Sequence, residues 1–169
     1  LCEGLGARVG WPFASASTSP MKRCRDSLLA MARGASSSME AESTTMLGAP
    51  GAWISDTSDA WSSYVEHRKY VLVARQHRES SGVPGYHSLE VGARRLLGEL
   101  RSRASQSPHI ACSHDILMSC LLSWAFGREW AKPAWPGFFE GIALEFVGEA
   151  EVELSYRGER VRRRFAQDS

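Results

Sequence analysis

The residues best suited to chemistry are in the string Pro108-His109-Ile110-Ala111-Cys112-Ser113-His114-Asp115, which runs straight into an apolar stretch over 116–127. The pattern predicts a short strand, a tight turn and a helix. His114 and Asp115 then sit where an α/β protein handles phosphate. The carboxyl end of the strand opens into a crevice, and the helix N-terminus offers unpaired N–H groups and partial positive charge. An imidazole there adds charge to a phosphate, and a carboxylic acid donates a proton. The same two residues also have a purely structural reading, with His114 a buried, hydrogen-bonded histidine and Asp115 a helix N-cap. The cap and acid readings partly coexist, although a tightly capped carboxylate keeps a low pKa and makes a poorer acid.

Ser113-His114-Asp115 resembles the C-terminal His-Asp motif of the histidine acid phosphatases, the phytase and acid phosphatase branch of the histidine phosphatase superfamily. The resemblance continues in order. A leucine-rich helix ends at Gly127, Trp135-Pro136-Gly137-Phe138-Phe139 follows, and then come Ile142-Ala143-Leu144-Glu145-Phe146 and Val152-Glu153-Leu154-Ser155-Tyr156-Arg157-Gly158-Glu159. Upstream, residues 86–103 are similar to the family helix before the His-Asp strand, so the likeness covers residues 86–165.

The resemblance implies the C-terminal portion of a three-layer αβα domain and the hydrolysis of phosphate monoesters through a phosphohistidine. In that chemistry a histidine near the family's N-terminus attacks phosphorus, and arginines from the same part join His114 in holding the phosphoryl oxygens. Asp115 protonates the leaving oxygen, and neither metal nor cofactor takes part. The sequence departs from the family pattern in three places. Ile116 follows the His-Asp pair, Gly137 replaces the second proline of the Trp-Pro-Pro segment, and no Arg-His-Gly-x-Arg nucleophile motif occurs. The nearest string, Arg75-Gln76-His77-Arg78 after the apolar run 70–74, has the wrong spacing and no glycine, and is read as a charged helix or strand end. Leu1 in place of a methionine adds to the expectation of a C-terminal fragment. Alone, it would not turn over substrate. The alternative is a non-catalytic remnant that at most binds an anion or another protein.

Residues 1–50 are rich in Ser, Ala, Gly and Thr and are expected to be disordered or linker, apart from a short helix over 22–33. Residues 51–169 then carry the partial phosphatase-like domain. Trp61, Tyr64 and Val65 recur at helical spacing, 80–85 is a loop, and 88–103 is an amphipathic helix with Leu89, Ala93, Leu96, Leu97 and Leu100 along one face. Alternation over 142–147 and 152–156 predicts a β-hairpin turned by Gly148-Glu149-Ala150, with a further short strand after Arg157-Gly158. His109 reads as a surface residue, and Trp124, Trp130 and Trp135 as packing around the helix end.

The bulk properties are those of a globular protein: 169 residues, 43% hydrophobic, 23% charged. A net charge of +1 argues against broad electrostatic binding to nucleic acid. No apolar run approaches the ~20 residues of a membrane span. The cysteines at 2, 24, 112 and 120 lack metal spacing. Cys112, His114 and Cys120 have no fourth partner for structural zinc, and Cys112 and Cys120 are read as buried free thiols.

Overall fold

The computed structural model describes residues 1–9, 12–79, 82–104, 108–130, 132 and 134–165. Ser80 and Ser81 of the expected loop, and Ser107 before the expected strand, lie outside the described residues. The chain divides into two compact units, residues 1–51 with 99–114 and residues 52–98 with 115–169.

The first unit is built on a parallel sheet. It contains α1 (Cys2–Val9), β1 (Ser15–Thr18), α2 (Lys22–Gly34), β2 (Ala41–Ser43), a 3-10 turn at Thr45–Leu47 and β3 (His109–Cys112). The strand order is β2-β1-β3. Both neighbours run parallel to β1, with Thr18 opposite Ser43 on one side and Cys112 on the other. Parallel pairing of consecutive strands needs a crossover, and α2 provides it between β1 and β2. Cys24, Leu28 and Ala32, spaced by four along α2, are buried.

The expectation of a disordered residue 1–50 segment is corrected here. Ala16, Ser17, Thr18 and Ser19 are all essentially buried. A central strand between two ladders satisfies its backbone on both sides, and its small side chains let neighbouring layers come close. α1 makes a similar close approach to α2. A Cβ on Gly6 would stand 1.9 Å from the Met31 carbonyl oxygen, and one on Gly34 would stand 1.9 Å from that of Glu3. The Ser/Ala/Gly bias that suggested too little burial to offset ordering entropy instead reflects tight packing.

The second unit holds α3 (Thr57–Glu66), α4 (Lys69–Arg78), α6 (Asp115–Phe126) and a meander of β4 (Ala143–Val147), β5 (Glu151–Tyr156) and β6 (Glu159–Arg164). α5 (Leu89–Arg103) contributes its residues through Gly98 to this unit. The expected hairpin forms, with Leu144 opposite Leu154 and Phe146 opposite Val152, and β6 adds an antiparallel third strand. Val152, Leu154 and Tyr156 alternate into the interior. Leu122 of α6, Trp130 and Tyr156 form one core cluster, joined by Met118, Phe126, Ala134 and Ile142. Glu140 ties the preceding loop to this sheet. It accepts hydrogen bonds from the Gly137 amide, the Tyr156 hydroxyl and the Arg157 guanidinium, and that pairing with Arg157 first, then Tyr156, pulls its carboxyl down to about 2.

The helix expected around Trp61, Tyr64 and Val65 forms as α3, but those three side chains face outward and Ala60 and Ser63 are the buried positions. α5 follows its expected face, with Ala93, Leu96, Leu97 and Leu100 buried. The apolar run 70–74, strand-like in sequence, lies on α4. Among the described residues, no helix is long and apolar enough to cross a membrane.

α5 also depends on a missing side chain. Trp53 is 3% exposed and donates through Nε1 to the Leu89 carbonyl, and a Cβ on Gly92 would fall 2.1 Å from its Cδ1. Alanine at a helix interior normally stabilises by about 1 kcal/mol relative to glycine, whereas overpacking a core costs ~1–3 kcal/mol. Gly92→Ala should therefore forfeit the usual gain and destabilise the protein by up to about 2 kcal/mol in urea unfolding. A midpoint raised by the full propensity gain of about 1 kcal/mol would show that Trp53 does not pack there.

Candidate functional site

The carboxyl edge of the parallel sheet collects the candidate groups of the first unit. Each strand ends beside its neighbour, and the ladder extends one step beyond it. The Ser19 amide donates to the Cys112 carbonyl (3.0 Å) and the Thr44 amide to the Thr18 carbonyl (2.9 Å). Ser19, leaving β1, and His114, leaving β3, meet at this edge, with Ser19 Oγ 2.9 Å from His114 Nε2. Chain direction changes at Ser19-Pro20, and α2 begins at Lys22 with no side-chain cap. The Met21 amide donates to Ser19 Oγ (3.3 Å). From the first turn of α2, Arg23 Nη2 reaches His114 Nδ1 at 3.3 Å.

These contacts assign the imidazole tautomer. A guanidinium has only donors, so Nδ1 accepts from Arg23, and Nε2 carries the proton and donates to Ser19 Oγ. Cys24 lies against the same ring, its Sγ 3.9 Å from Nε2 and 4.0 Å from Nδ1, and also contacts the Ser113 carbonyl at 3.6 Å. Ser113 Oγ in turn donates to the Leu47 carbonyl (2.9 Å), which fastens the turn before His114 to the segment after β2. An imidazole, a guanidinium and a helix N-terminus thus sit together at the end of parallel strands, an arrangement suited to an anion.

Arg23 and Ser19 were not singled out from the sequence. Their signal was a second strand–turn–helix unit, four small residues followed by Ser-Pro and a basic helix start. It lacked the apolar strand that made β3 recognisable. The nucleophile-like string at Arg75-Gln76-His77-Arg78 falls within α4 rather than after a strand. There Arg75 pairs with Glu79, Arg78 pairs with Glu129, and Gln76 accepts from the Cys120 thiol.

Asp115 opens α6 in the second unit and is held by three donors. The Lys69 ammonium pairs with Oδ2, Trp135 Nε1 donates to Oδ2 (2.9 Å), and the Ile116 amide donates to Oδ1 (2.9 Å). Burial pushes its carboxyl up, but the Lys69 contact, the Trp135 hydrogen bond and the Ile116 amide outweigh it, and the pKa lies below the ordinary aspartate value. Trp135, expected only to pack, is therefore also a hydrogen-bond donor, and its ring stacks edge-on against Tyr70 at 4.5 Å.

One further expectation is corrected. His109 is not a free surface residue. Ser15 Oγ lies 2.7 Å from its Nδ1 and Ser17 Oγ 2.9 Å from its Nε2. Burial, then the charge of Arg103, holds its pKa low. Cys112 and Cys120 belong to different units, and among the described residues no group of three or more His, Cys, Asp or Glu is arranged for a metal.

A parallel α/β unit with histidine and arginine at its carboxyl edge defines the fold class, and the family comparison specifies the family. The chain belongs to the histidine phosphatase superfamily (branch 1), whose family model matches residues 3–139. The match therefore begins in α1, well before residue 86, and it ends at residue 139, short of the strand segments over 142–159. In fold, the chain is similar to mycobacterial glucosyl-3-phosphoglycerate phosphatase complexed with VO3, with a TM-score of 0.54, 13% identity, 93% of this chain and 82% of the other covered. It is also similar to the protein described as mycobacterial hydrolase 1, with a TM-score of 0.51, 13% identity, 99% of this chain and 81% of the other covered. No curated protein matches the sequence significantly.

The Lys69 contact makes a testable claim about Asp115. Because the folded-state pKa is lowered, this aspartate contributes stability above its unfolded pKa, and that contribution fades as pH falls through the folded value. In Lys69→Met the largest of the contacts that oppose burial is gone, so the Asp115 pKa should rise in a carboxyl-carbon NMR titration. An unchanged titration would show that Lys69 does not set the charge state of Asp115.

Proposed function

We propose that this chain is a phosphomonoester-handling domain of the histidine phosphatase type, with His114 and Arg23 as its phosphate-binding groups. The observation that carries the reading is the Arg23–His114 contact at the carboxyl edge of β1 and β3, beside the N-terminus of α2. When a phosphoryl group arrives, the His114 N–H and the Arg23 guanidinium turn donors toward its oxygens, and charge-assisted bonds of this kind are stronger than neutral ones. Membership of the superfamily and the fold of a phosphatase complexed with VO3 support a phosphate-ester ligand.

In the hydrolytic form of the reading, the reaction follows the acid phosphatase type. A histidine nucleophile takes the phosphoryl group, the P–O bond to the leaving group breaks, and Asp115 gives the leaving oxygen its proton. Water then cleaves the phosphohistidine. Asp115 carries that proton only when its pairing with Lys69 is undone, so the step calls for an acidic medium. The five histidines of the sequence include none in an Arg-His-Gly-x-Arg setting. Residues 1–169 alone therefore bind phosphate without sustained turnover, as a fragment of such an enzyme would.

A second reading, a non-catalytic binder of phosphate groups, is favoured by the Lys69–Asp115 pair, which keeps the would-be acid ionised. The two readings share the binding site and differ in whether any turnover exists.

Calorimetric titration with inorganic phosphate tests the shared claim. Losing a hydrogen bond to a charged group costs about 1.5–3 kcal/mol, so Arg23→Ala and His114→Ala should each weaken phosphate binding by about tenfold or more. Parent-like affinity in both variants would remove the site. In a parallel assay with p-nitrophenyl phosphate, appreciable turnover by the purified chain, abolished in His114→Ala, would overturn the claim that it lacks a nucleophile.

A further inference from the structure

In the second unit, β6 reads Glu159-Arg160-Val161-Arg162-Arg163-Arg164 and is an edge strand. The sheet order is β4-β5-β6, and among the described residues no strand pairs with its outer side. The hairpin decides which of its backbone groups face outward. A two-residue turn, Arg157 and Gly158, joins β5 to β6, both residues with positive φ (47° and 82°). The Phe165 amide donates to the Ala150 carbonyl (2.8 Å), one step past the Glu151–Arg164 pair. Hydrogen-bonded and non-bonded pairs alternate along an antiparallel ladder. Glu159, Val161, Arg163 and Phe165 therefore bond to β5, and Arg160 and Arg162 turn their amides and carbonyls to the outer edge.

The side chains follow the same period of two. Those of Arg160 and Arg162 lie on the face opposite buried Leu154 and Tyr156 and are 76% and 56% exposed, and exposed Arg164 continues the row. One acid, Glu153 of β5, serves both Arg160 and Arg162, at 3.6 and 3.8 Å. Glu145 and Glu151 share that face on β4 and β5. The face thus carries acids on its two inner strands and arginines along its rim. Charge on an edge strand discourages indiscriminate pairing. Here it is of one sign, so it selects. A second copy pairing edge to edge would set arginines against arginines, whereas a strand bearing carboxylates would continue the alternation of charge across the face.

We propose that β6 is a docking edge for an extended acidic segment of another protein, which joins the sheet as an antiparallel fourth strand. Its main chain bonds to the outward amides and carbonyls of Arg160 and Arg162, as in other strand additions to a sheet edge. Carboxylates at alternate positions face the arginines across the new ladder, and the intervening apolar side chains lie over half-buried Val161. The occupant is a peptide strand because the outward backbone groups and the exposed guanidinium groups belong to the same residues. A nucleic acid would engage the guanidinium groups and leave those backbone groups unpaired. The docking edge lies within the second unit and does not rest on the phosphate-binding function proposed above.

The test follows backbone amide resonances of the isotope-labelled full chain during titration with a capped peptide of six residues, the length of β6, alternating glutamate and valine. The expected result is saturable movement of the amides of residues 159–164, slower hydrogen exchange at the Arg160 and Arg162 amides, and weaker binding as salt rises. The same peptide with lysine for glutamate, or N-methylated at its glutamates, should not bind. The double variant Arg160→Glu, Arg162→Glu should bind the acidic peptide about fivefold or more weakly and accept the lysine peptide. No saturable binding, or movement centred outside β6, would overturn the proposal. Equal binding of the N-methylated peptide would overturn strand addition, and equal binding of the lysine peptide would overturn selection by charge. A short single-stranded RNA that displaces the acidic peptide at lower concentration would reassign the edge to nucleic acid, and self-association through the β6 amides would reassign it to a second copy. The comparison among peptides uses the parent chain alone, so a poorly folding variant cannot obscure it.

Discussion

The parallel ladder between β1 and β3 is the constraint on which the first unit depends. It sets Thr18 beside Cys112 and so brings Ser19 and His114, each just past its strand, to a common edge. Every feature of the candidate site follows from that register. Ser19 fixes one imidazole nitrogen, the turn at Ser19-Pro20 starts α2 at the same edge, and the first turn of α2 delivers Arg23 to the other nitrogen. A slip of one residue would send these side chains to the opposite face. The small residues of β1 are what allow a strand to sit buried between two neighbours and under a helix.

Electrostatics divides the two members of the His-Asp pair. His114 is held by a hydroxyl and a guanidinium, which engage both ring nitrogens, and the guanidinium brings more N–H donors to the edge than the one the ring takes up. Asp115 is held by an ammonium, an indole N–H and a backbone amide, all of which favour the carboxylate. A proton donor needs the opposite bias. The residue next to His114 is thus stabilised in the form that cannot donate a proton, and acid conditions or loss of the Lys69 contact are the ways to reverse it.

Much of the second unit and of β3 was legible in the sequence because the signals there are periodic. Leucines at helical spacing marked α5, the run after Asp115 marked α6, and strict alternation marked the hairpin. His114 was found because an apolar strand precedes it. The N-terminal elements were not legible. β1 consists of Ser, Ala, Ser and Thr, a composition that by itself signals disorder, and its role comes from two neighbours far away in sequence. The Lys69–Asp115 pair spans 46 residues and has no local trace. α3 shows the converse limit: its aromatic spacing predicted a helix correctly, but not that Trp61 is 66% exposed. Family membership corrected the extent of the likeness, since the match begins at residue 3.

The central claim is that the edge formed by β1, β3 and α2 holds a phosphoryl group through His114 and Arg23. The most direct measurement is a crystal structure of the chain grown with orthovanadate. The account predicts the anion bonded to His114 and Arg23 at the start of α2. An anion bound elsewhere, or an empty edge at saturating vanadate, would contradict it.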